Sequence, residues 1–93
     1  MKQELPARYT IRRTEDFIKK SHELGKRFSR VKELIKAIDW ALERRPHYFT
    51  NISSDYYLWV TTELSNDDFP EVKILYKIVE DDFEVVLLDI EET

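Results

Sequence analysis

Residues 71–93 read EVKILYKIVEDDFEVVLLDIEET, two apolar runs around an acidic turn. This pattern is typical of a β-hairpin. In the first run, one strand face carries Val72, Ile74, Tyr76 and Ile78, and the other carries Lys73, Leu75, Lys77 and Val79. The second run, Phe83 to Ile90, is apolar on both faces apart from Glu84 and Asp89, which predicts an interior position in the sheet.

The residues before this hairpin predict two helices. Thr14 is a suitable N-cap for a first helix over residues 15–24, and Gly25 stands where a left-handed C-cap is expected. The second helix is indicated by apolar residues at helical spacing, with Ser29 as its N-cap and Pro46 as its stop. Those apolar residues are Val31, Leu34, Ile35, Ile38, Ala41 and Leu42.

Strands are predicted on both sides of the helices. Arg8–Arg13 alternates like a short strand, Tyr56–Leu64 is rich in aromatic and β-branched residues, and Asn66–Pro70 has turn composition. The predicted order is therefore β-α-α-β-β-β. This order favours an α+β fold, a helical hairpin packed on a mainly antiparallel sheet, as a single domain over residues 1–93.

Composition restricts the class of protein. A chain of 93 residues with 42% hydrophobic residues and one glycine suits one packed domain. It has no cysteine, which excludes disulfides and thiolate chemistry. No apolar run approaches the length of a membrane span, and Met1–Pro6 lacks the apolar region of a signal peptide, so we expect a cytoplasmic protein.

The two halves of the chain carry opposite charge. Residues 1–47 hold 13 Lys/Arg and 7 Asp/Glu, a balance of +6, whereas residues 48–93 hold 2 and 12, a balance of −10. Two interpretations stay open. The halves neutralise each other in the folded domain, or the helices present a basic face to RNA, the ribosome or an acidic partner.

The element order and the closing hairpin together resemble the RelE/ParE superfamily of bacterial toxin–antitoxin toxins, also described as plasmid stabilisation proteins. The matching stretch is Lys73–Asp89, with the helix end Arg44–His47 as a second point of similarity. The resemblance implies a fold shared by ribosome-dependent mRNA endonucleases and by gyrase-poisoning toxins. It also implies a small antitoxin as partner, with a homodimer as a further possibility, and neither a metal nor a cofactor.

In the nuclease branch of that superfamily, the RNA 2′-hydroxyl attacks the neighbouring phosphate. The reaction needs a proton acceptor, a cation for the phosphorane and an acid for the leaving oxygen. Lys73 stands where the family typically has an arginine, so the resemblance implies catalytic roles for Lys73 and for Tyr76, the nearby phenol. Arg44, Arg45, His47 and Lys77 are the corresponding candidates for binding RNA or a partner.

The last residues depart from the nuclease pattern. Nuclease members usually carry Tyr or His after the final strand, whereas this chain ends Asp89-Ile-Glu-Glu-Thr93 and has no aromatic or basic residue after Phe83. Carboxylates repel phosphate and are poor acids at neutral pH. The sequence is therefore compatible with two functions. One is a toxin acting on ribosome-bound mRNA, and the other is a non-catalytic, toxin-like module that binds a protein; an unrelated α+β interaction domain is a third, weaker alternative.

Each candidate residue also has a structural interpretation. Lys73 and Lys77 suit an exposed sheet face, Tyr76 suits the core, and Arg44, Arg45 and His47 suit a helix C-terminus, where cations interact favourably with the helix dipole. His22 is expected at the surface. The aromatic residues around the helix-to-strand connection are expected mostly in the core, and those exposed would mark a partner surface. They are Tyr48, Phe49, Tyr56, Tyr57 and Trp59.

Overall fold

The computed structural model describes residues 8–65 and 69–93, so most of the predicted Asn66–Pro70 turn and the first seven residues lie outside it. The elements are β1 (Thr10–Arg13), α1 (Glu15–Arg27), α2 (Val31–Arg44), β2 (Thr50–Ser53), β3 (Tyr56–Val60), β4 (Val72–Val79) and β5 (Glu84–Glu92). Short 3₁₀ turns occur at Pro46–Tyr48, Thr62–Leu64 and Glu80–Asp82. No helix in the described part of the chain is long and apolar enough to cross a membrane.

The strands form one mixed sheet in the order β1-β5-β4-β3-β2. β1 runs parallel to β5, and the other neighbours are antiparallel. The interior position predicted for β5 is confirmed, because it pairs with β1 on one side and β4 on the other. The α+β class and the helical hairpin on a mainly antiparallel sheet are confirmed as well.

The core lies between the helices and one face of the sheet, which we call the inner face. β4 contributes its alternate residues to it, as the sequence predicts, and all four are buried: Val72, Ile74, Tyr76 and Ile78. The helices supply the opposing layer, which consists of Phe17, Leu24, Val31, Leu34, Ile38 and Leu42. The other side chains of β4 lie on the opposite, outer face and are exposed or half-buried.

Gly25 does not end the first helix, so the predicted C-cap is wrong. α1 continues to Arg27, no described glycine has a positive φ, and the helix ends at Phe28, whose N–H donates to the Leu24 carbonyl at 2.9 Å. Leu24 and Phe28 both pack on the core, and this packing continues the helix beyond the glycine. The predicted Ser29 N-cap is also wrong, because Arg30 occupies that position without a side-chain cap.

Three strand boundaries differ from the predictions. β1 begins at Thr10 rather than Arg8. β5 begins at Glu84 because Phe83 adopts a left-handed conformation with φ 49°, and it continues to Glu92 through pairing with Val72 and Lys73 of β4. β3 ends at Val60 rather than Leu64. The buried Thr61 hydroxyl donates to the Val72 carbonyl at 3.3 Å and accepts from the Val72 N–H at 3.1 Å, and a 3₁₀ turn follows.

The sequence pattern does not predict strand β2. Its four residues, TNIS, are all exposed, so they carry no alternation of buried and exposed positions. They pair with β3 through a tight turn at Ser54, which has φ 47°, and Asn51 donates to the Tyr56 carbonyl at 3.1 Å. The open edge of β3, rather than the composition of β2, accounts for this strand.

Replacing Gly25 with alanine should stabilise the protein. Gly25 lies inside α1 with no positive φ, and an added Cβ would meet nothing within 4 Å. Since glycine costs about 0.5–1 kcal/mol relative to alanine in a helix interior, Gly25→Ala should raise the free energy of unfolding by about that amount. Urea denaturation measures it, with the exposed Lys19→Ala on the same helix as the matched control; an unchanged or lower stability would contradict the expectation.

Candidate functional site

Lys73 lies on the outer face of β4, beside carboxylates. Its Nζ is 3.9 Å from the Glu91 Oε1 across the β4–β5 pair. Glu91 and Asp89 in turn bind the Nζ of Lys20 from α1 at 3.2 and 2.8 Å. Two cations thus share two carboxylates, and the surroundings of Lys73 have little net positive charge to attract a phosphate.

Lys77 lies on the same face, four residues further along β4, which corresponds to about 13 Å. Its Nζ is 5.8 Å from the centre of the Tyr56 ring, its neighbour on β3. This cation–π contact combines a positive charge with a partly exposed aromatic ring. Lys73 and Lys77 share a face but do not form one compact site.

Tyr76 lies on the inner face and is fully buried. Its hydroxyl donates to the Pro46 carbonyl at 2.5 Å, and its ring stacks on Tyr57 with centroids 5.5 Å apart. Burial raises the pKa of the Tyr76 hydroxyl far above its ordinary range, with a smaller contribution from Tyr57. The interpretation of Tyr76 as a core residue is confirmed, and the structure does not bring it together with Lys73.

Arg44 and Arg45 lie at the end of α2, as the sequence predicts. Arg44 Nη1 donates to the Trp40 carbonyl at 3.0 Å, and the guanidinium lies over the Trp40 ring, 4.2 Å from its centre. Arg44 therefore supports the helix C-terminus. Arg45 occupies the C-cap position, donates its backbone N–H to the Ala41 carbonyl at 2.8 Å, and has an exposed side chain.

His47 belongs to a polar cluster at the same end of the sheet. Its Nε2 hydrogen-bonds Glu80 Oε2, while the Tyr9 hydroxyl donates to Glu80 Oε1 at 3.1 Å. The imidazole ring meets Tyr9 and Tyr57 edge-on at 5.9 and 6.0 Å. The hydrogen bond with His47 lowers the pKa of Glu80. The pKa of Tyr9 is raised, mainly by its burial and then by its hydrogen bond with Glu80.

Sequence reasoning missed Tyr9 and Glu80 as partners of His47. Glu80 is 33 positions from His47 and 71 from Tyr9, so no local motif connects them. The β4–β5 turn and the parallel β1–β5 pairing bring them together. Sequence reasoning did place His22 correctly, because it is exposed.

A groove of about 720 Å³ lies between α1 and α2. Phe28, Val31 and Ile35 supply apolar lining, and Lys32 and Lys36 lie at the rim. Lys73, Lys77, Tyr76 and His47 do not line it. Among residues 8–65 and 69–93, no group of three or more His, Asp or Glu side chains is arranged to hold a metal ion.

Comparison with known proteins gives structural matches alone. No protein-family model matches the chain, and no curated protein matches it. A chain of the toxin–antitoxin complex RelBE2 from Mycobacterium tuberculosis superimposes with a TM-score of 0.69 at 17% identity, with 98% of each chain covered. The isolated Escherichia coli RelE toxin matches with a TM-score of 0.66 at 15% identity, covering 91% of this chain and 84% of that chain.

A chain of the intact E. coli RelBE toxin–antitoxin complex matches as well, with a TM-score of 0.63 at 16% identity and 91% and 96% coverage. All three matches extend over nearly the whole chain. The chain has a RelE-like toxin fold. At 15–17% identity these matches show the fold and do not assign roles to individual side chains.

Removing the Tyr76 hydroxyl should weaken this RelE-like fold. Tyr76→Phe keeps the ring but leaves the buried Pro46 carbonyl without this donor, which costs about 1–3 kcal/mol. Tyr57→Phe is the matched control, because Tyr57 stacks on the same ring and none of the described hydrogen bonds involves its hydroxyl. Chemical denaturation of the two variants provides the measurement; equal stabilities would show that the Tyr76 hydrogen bond is unimportant.

The Glu80 cluster should make stability depend on pH. Because the folded-state pKa of Glu80 is below its ordinary value of 4.5, its contribution is complete above that value and is lost as pH falls through the folded-state pKa. Between about pH 6 and pH 3, the free energy of unfolding should therefore fall less for Glu80→Gln than for wild type. The difference should be under about 1 kcal/mol, because the side chains of Glu80 and His47 are half-exposed. Asp81→Asn, in the same turn, is the control and should retain the wild-type pH dependence.

Proposed function

We propose that this chain is the RelE-like component of a toxin–antitoxin pair, that a cognate antitoxin binds it, and that Lys73 and Tyr76 do not cleave mRNA. The observation that carries the proposal is the separation of these two residues. Tyr76 is buried on the inner face, whereas Lys73 lies on the outer face next to Glu91.

The chemistry argues against cleavage through this pair. Attack by a 2′-hydroxyl requires a cation and a proton donor or acceptor that reach the same phosphate. The Tyr76 hydroxyl is bonded to a backbone carbonyl, and its raised pKa makes it a weak acid. Asp89 and Glu91 oppose the approach of a phosphate to Lys73.

An antitoxin partner is supported by the comparisons and by the outer face. Two of the three matched structures are toxin–antitoxin complexes. Tyr56 and Val60 on β3 share the outer face with Lys77 and Lys73, and both are large apolar residues that remain exposed. Exposed aromatic and apolar side chains on an open sheet face suit the buried centre of a protein interface.

Cleavage of ribosome-bound mRNA is the second candidate function. One observation favours it, because Lys77 and the Tyr56 ring combine a cation and a stacking surface on the outer face. In that function Lys77, with Arg44, Arg45 and His47, would contact RNA, and the ribosome would supply the missing groups. We also propose that residues 1–93 form one domain, that it acts in the cytoplasm, and that it needs neither a metal nor a cofactor.

We expect a short reading frame that encodes the antitoxin to adjoin the gene, and expression with and without it tests the function. We expect that reading frame's product to co-purify with this chain, and we expect primer extension after induction to show no ribosome-dependent cuts in mRNA. A chain that neither binds this product nor arrests growth would contradict the toxin–antitoxin assignment.

The matched variants for the cleavage assay are Lys73→Ala and Lys77→Ala. Since we expect no cleavage, both should behave like wild type in primer extension. Cuts that appear with wild type and disappear with Lys73→Ala would overturn the non-catalytic proposal. Cuts that disappear only with Lys77→Ala would support the second candidate function.

A further inference from the structure

The solvent side of α2 carries a large aromatic ring that the core does not use. Trp40 lies opposite the buried residues of this helix and is 60% exposed. The other tryptophan, Trp59, is buried and stacks on Phe49. Just after α2, Tyr48 adds a second ring, which is 71% exposed. Large exposed rings of this kind are typical of a surface that binds another protein.

The Trp40 ring is held in place before any partner binds. The Arg44 guanidinium lies over it, 4.2 Å from the ring centre, and Arg44 Nη1 donates to the Trp40 carbonyl at 3.0 Å. Because the ring and the guanidinium are already ordered, a partner that covers them removes less conformational entropy. Tryptophan and arginine are also among the residue types that contribute most binding energy at protein interfaces.

The charges along the exposed side of α2 cancel. Over residues 32–44, three cations stand against three carboxylates, namely Lys32, Lys36 and Arg44 against Glu33, Asp39 and Glu43. Two of the carboxylates also pair within the chain, since Glu33 binds Arg30 at 2.7 Å and Asp39 binds Arg13. A neutral surface attracts neither a nucleic acid nor a strongly charged protein over a distance. It suits a partner whose contact surface is neutral as well.

We propose that this partner is a second copy of the chain, and that the two α2 helices pack antiparallel in a homodimer, about a two-fold axis at Trp40. The contact surface, which we call the α2 face, consists of Glu33, Lys36, Ala37, Trp40, Glu43 and Arg44. In such a dimer the same surface serves both copies, so it has to be complementary to itself.

Helix geometry gives the α2 face this complementarity. At about 100° per residue, Lys36 lies about 40° to one flank of Trp40, one turn before it, and Glu43 lies about 60° to the same flank, nearly one turn after it. Ala37 and Arg44 take the equivalent positions on the other flank. A two-fold axis between the helices, perpendicular to both, reverses the helix direction and keeps each flank on its side.

The two-fold axis therefore brings opposite charges together. Lys36 meets Glu43 of the second copy, and Glu43 meets Lys36 of that copy, so the ion pair forms twice. Arg44 meets Ala37 of the second copy, and this small side chain leaves room for the guanidinium that covers the Trp40 ring. The two Trp40 rings meet at the axis itself.

The size of the surface predicts a weak, reversible dimer. Since an aromatic side chain buries about 150–250 Å² in full, the exposed parts of Trp40 and Tyr48 amount to about 90–180 Å² each. Four such rings in a dimer give about 400–650 Å², to which the stems of Lys36 and Arg44 add. This is less than the roughly 1,200–2,000 Å² of stable complexes. We therefore expect a dissociation constant of about 10–500 µM.

Sedimentation velocity of the purified full chain measures the dimer over protein concentrations of about 5–500 µM. We expect the weight-average mass to rise from that of one chain toward that of two over this range. The fluorescence emission of Trp40 should move to shorter wavelength over the same range, because its ring leaves water. Trp40→Ala should raise the dissociation constant at least about thirtyfold.

Exchange of the paired charges tests the antiparallel arrangement. Lys36→Glu places two carboxylates opposite each other and Glu43→Lys places two ammonium groups there, so each should weaken the dimer about tenfold. Mixed in equal amounts, the two variants should form a heterodimer about as strong as the wild-type dimer, because every pair again has opposite charges. Lys19→Glu, the same charge change on the exposed side of α1, is the matched control and should dimerise like wild type.

Three results would overturn the proposal. They are a chain that stays monomeric up to about 500 µM, a dimer that Trp40→Ala leaves unchanged, and a mixture of the two charge variants that dimerises no better than either alone. An antitoxin or an RNA that binds the α2 face of a monomeric chain would also count against it. Circular dichroism of each variant establishes that it is folded.

The homodimer goes beyond the proposed function and does not depend on it. The α2 face lies on the solvent side of the helical layer, whereas Tyr56, Val60 and Lys77 lie on the outer face of the sheet. The sedimentation experiment involves neither an antitoxin nor a growth assay. Failure of the homodimer therefore leaves the proposed function standing, and failure of the proposed function leaves the homodimer standing.

Discussion

The alternation of β4 is the constraint on which the rest of the structure depends. A strand turns successive side chains to opposite faces, and β4 buries Val72, Ile74, Tyr76 and Ile78 under the two helices. A shift of one residue would bury Lys73 and Lys77 instead, so the register is strongly fixed. The same period places Tyr76 and Lys73 on opposite faces, and one strand cannot offer both to a single phosphate.

Ion pairs between the two halves of the chain join α1 and β1 to β5. Lys20 and Arg27 of α1 pair with the carboxylates at the end of β5, and Arg12 of β1 pairs with Glu84 at its start. Exposed pairs of this kind contribute about 0–1 kcal/mol each, so their main effect is on the surface potential. Neutralisation between the two halves therefore holds for these pairs of α1 and β1 with β5, whereas a basic helical face for RNA, the ribosome or an acidic partner stays a prediction.

Sequence reasoning succeeded where burial produces a periodic pattern. The inner face of β4, the interior position of β5 and the apolar face of α2 all follow from residues that alternate or repeat because one side is buried. It failed where a neighbouring element decides the structure. β2 is exposed at every position, and Gly25 is held in α1 by the packing of Leu24 and Phe28 on either side.

The candidate site was harder to predict than the fold for the same reason. The cluster of Tyr9, His47 and Glu80 depends on chain segments that meet only when β1 pairs with β5, so none of its members has a local pattern. The exposed rings are a partial exception. Sequence reasoning expected the aromatic residues mostly in the core, which holds for Phe49, Tyr57 and Trp59, while Tyr48 and Tyr56 remain exposed.

The acidic end of β5 takes part in the packing of α1 against the sheet. The inner face of β5 supplies Val85, Leu87 and Ile90 to the core. Asp89 and Glu91 do not belong to this core, so the core does not depend on their carboxylates. Those carboxylates contact Lys20 of α1, and this contact within the chain connects the helix to the C-terminal half of β5. Asp89 and Glu91 thus have a structural role, because they hold α1 against β5. A cation that is already paired with carboxylates of its own chain attracts a phosphate less strongly, and on this chain that applies to Lys20 and Lys73.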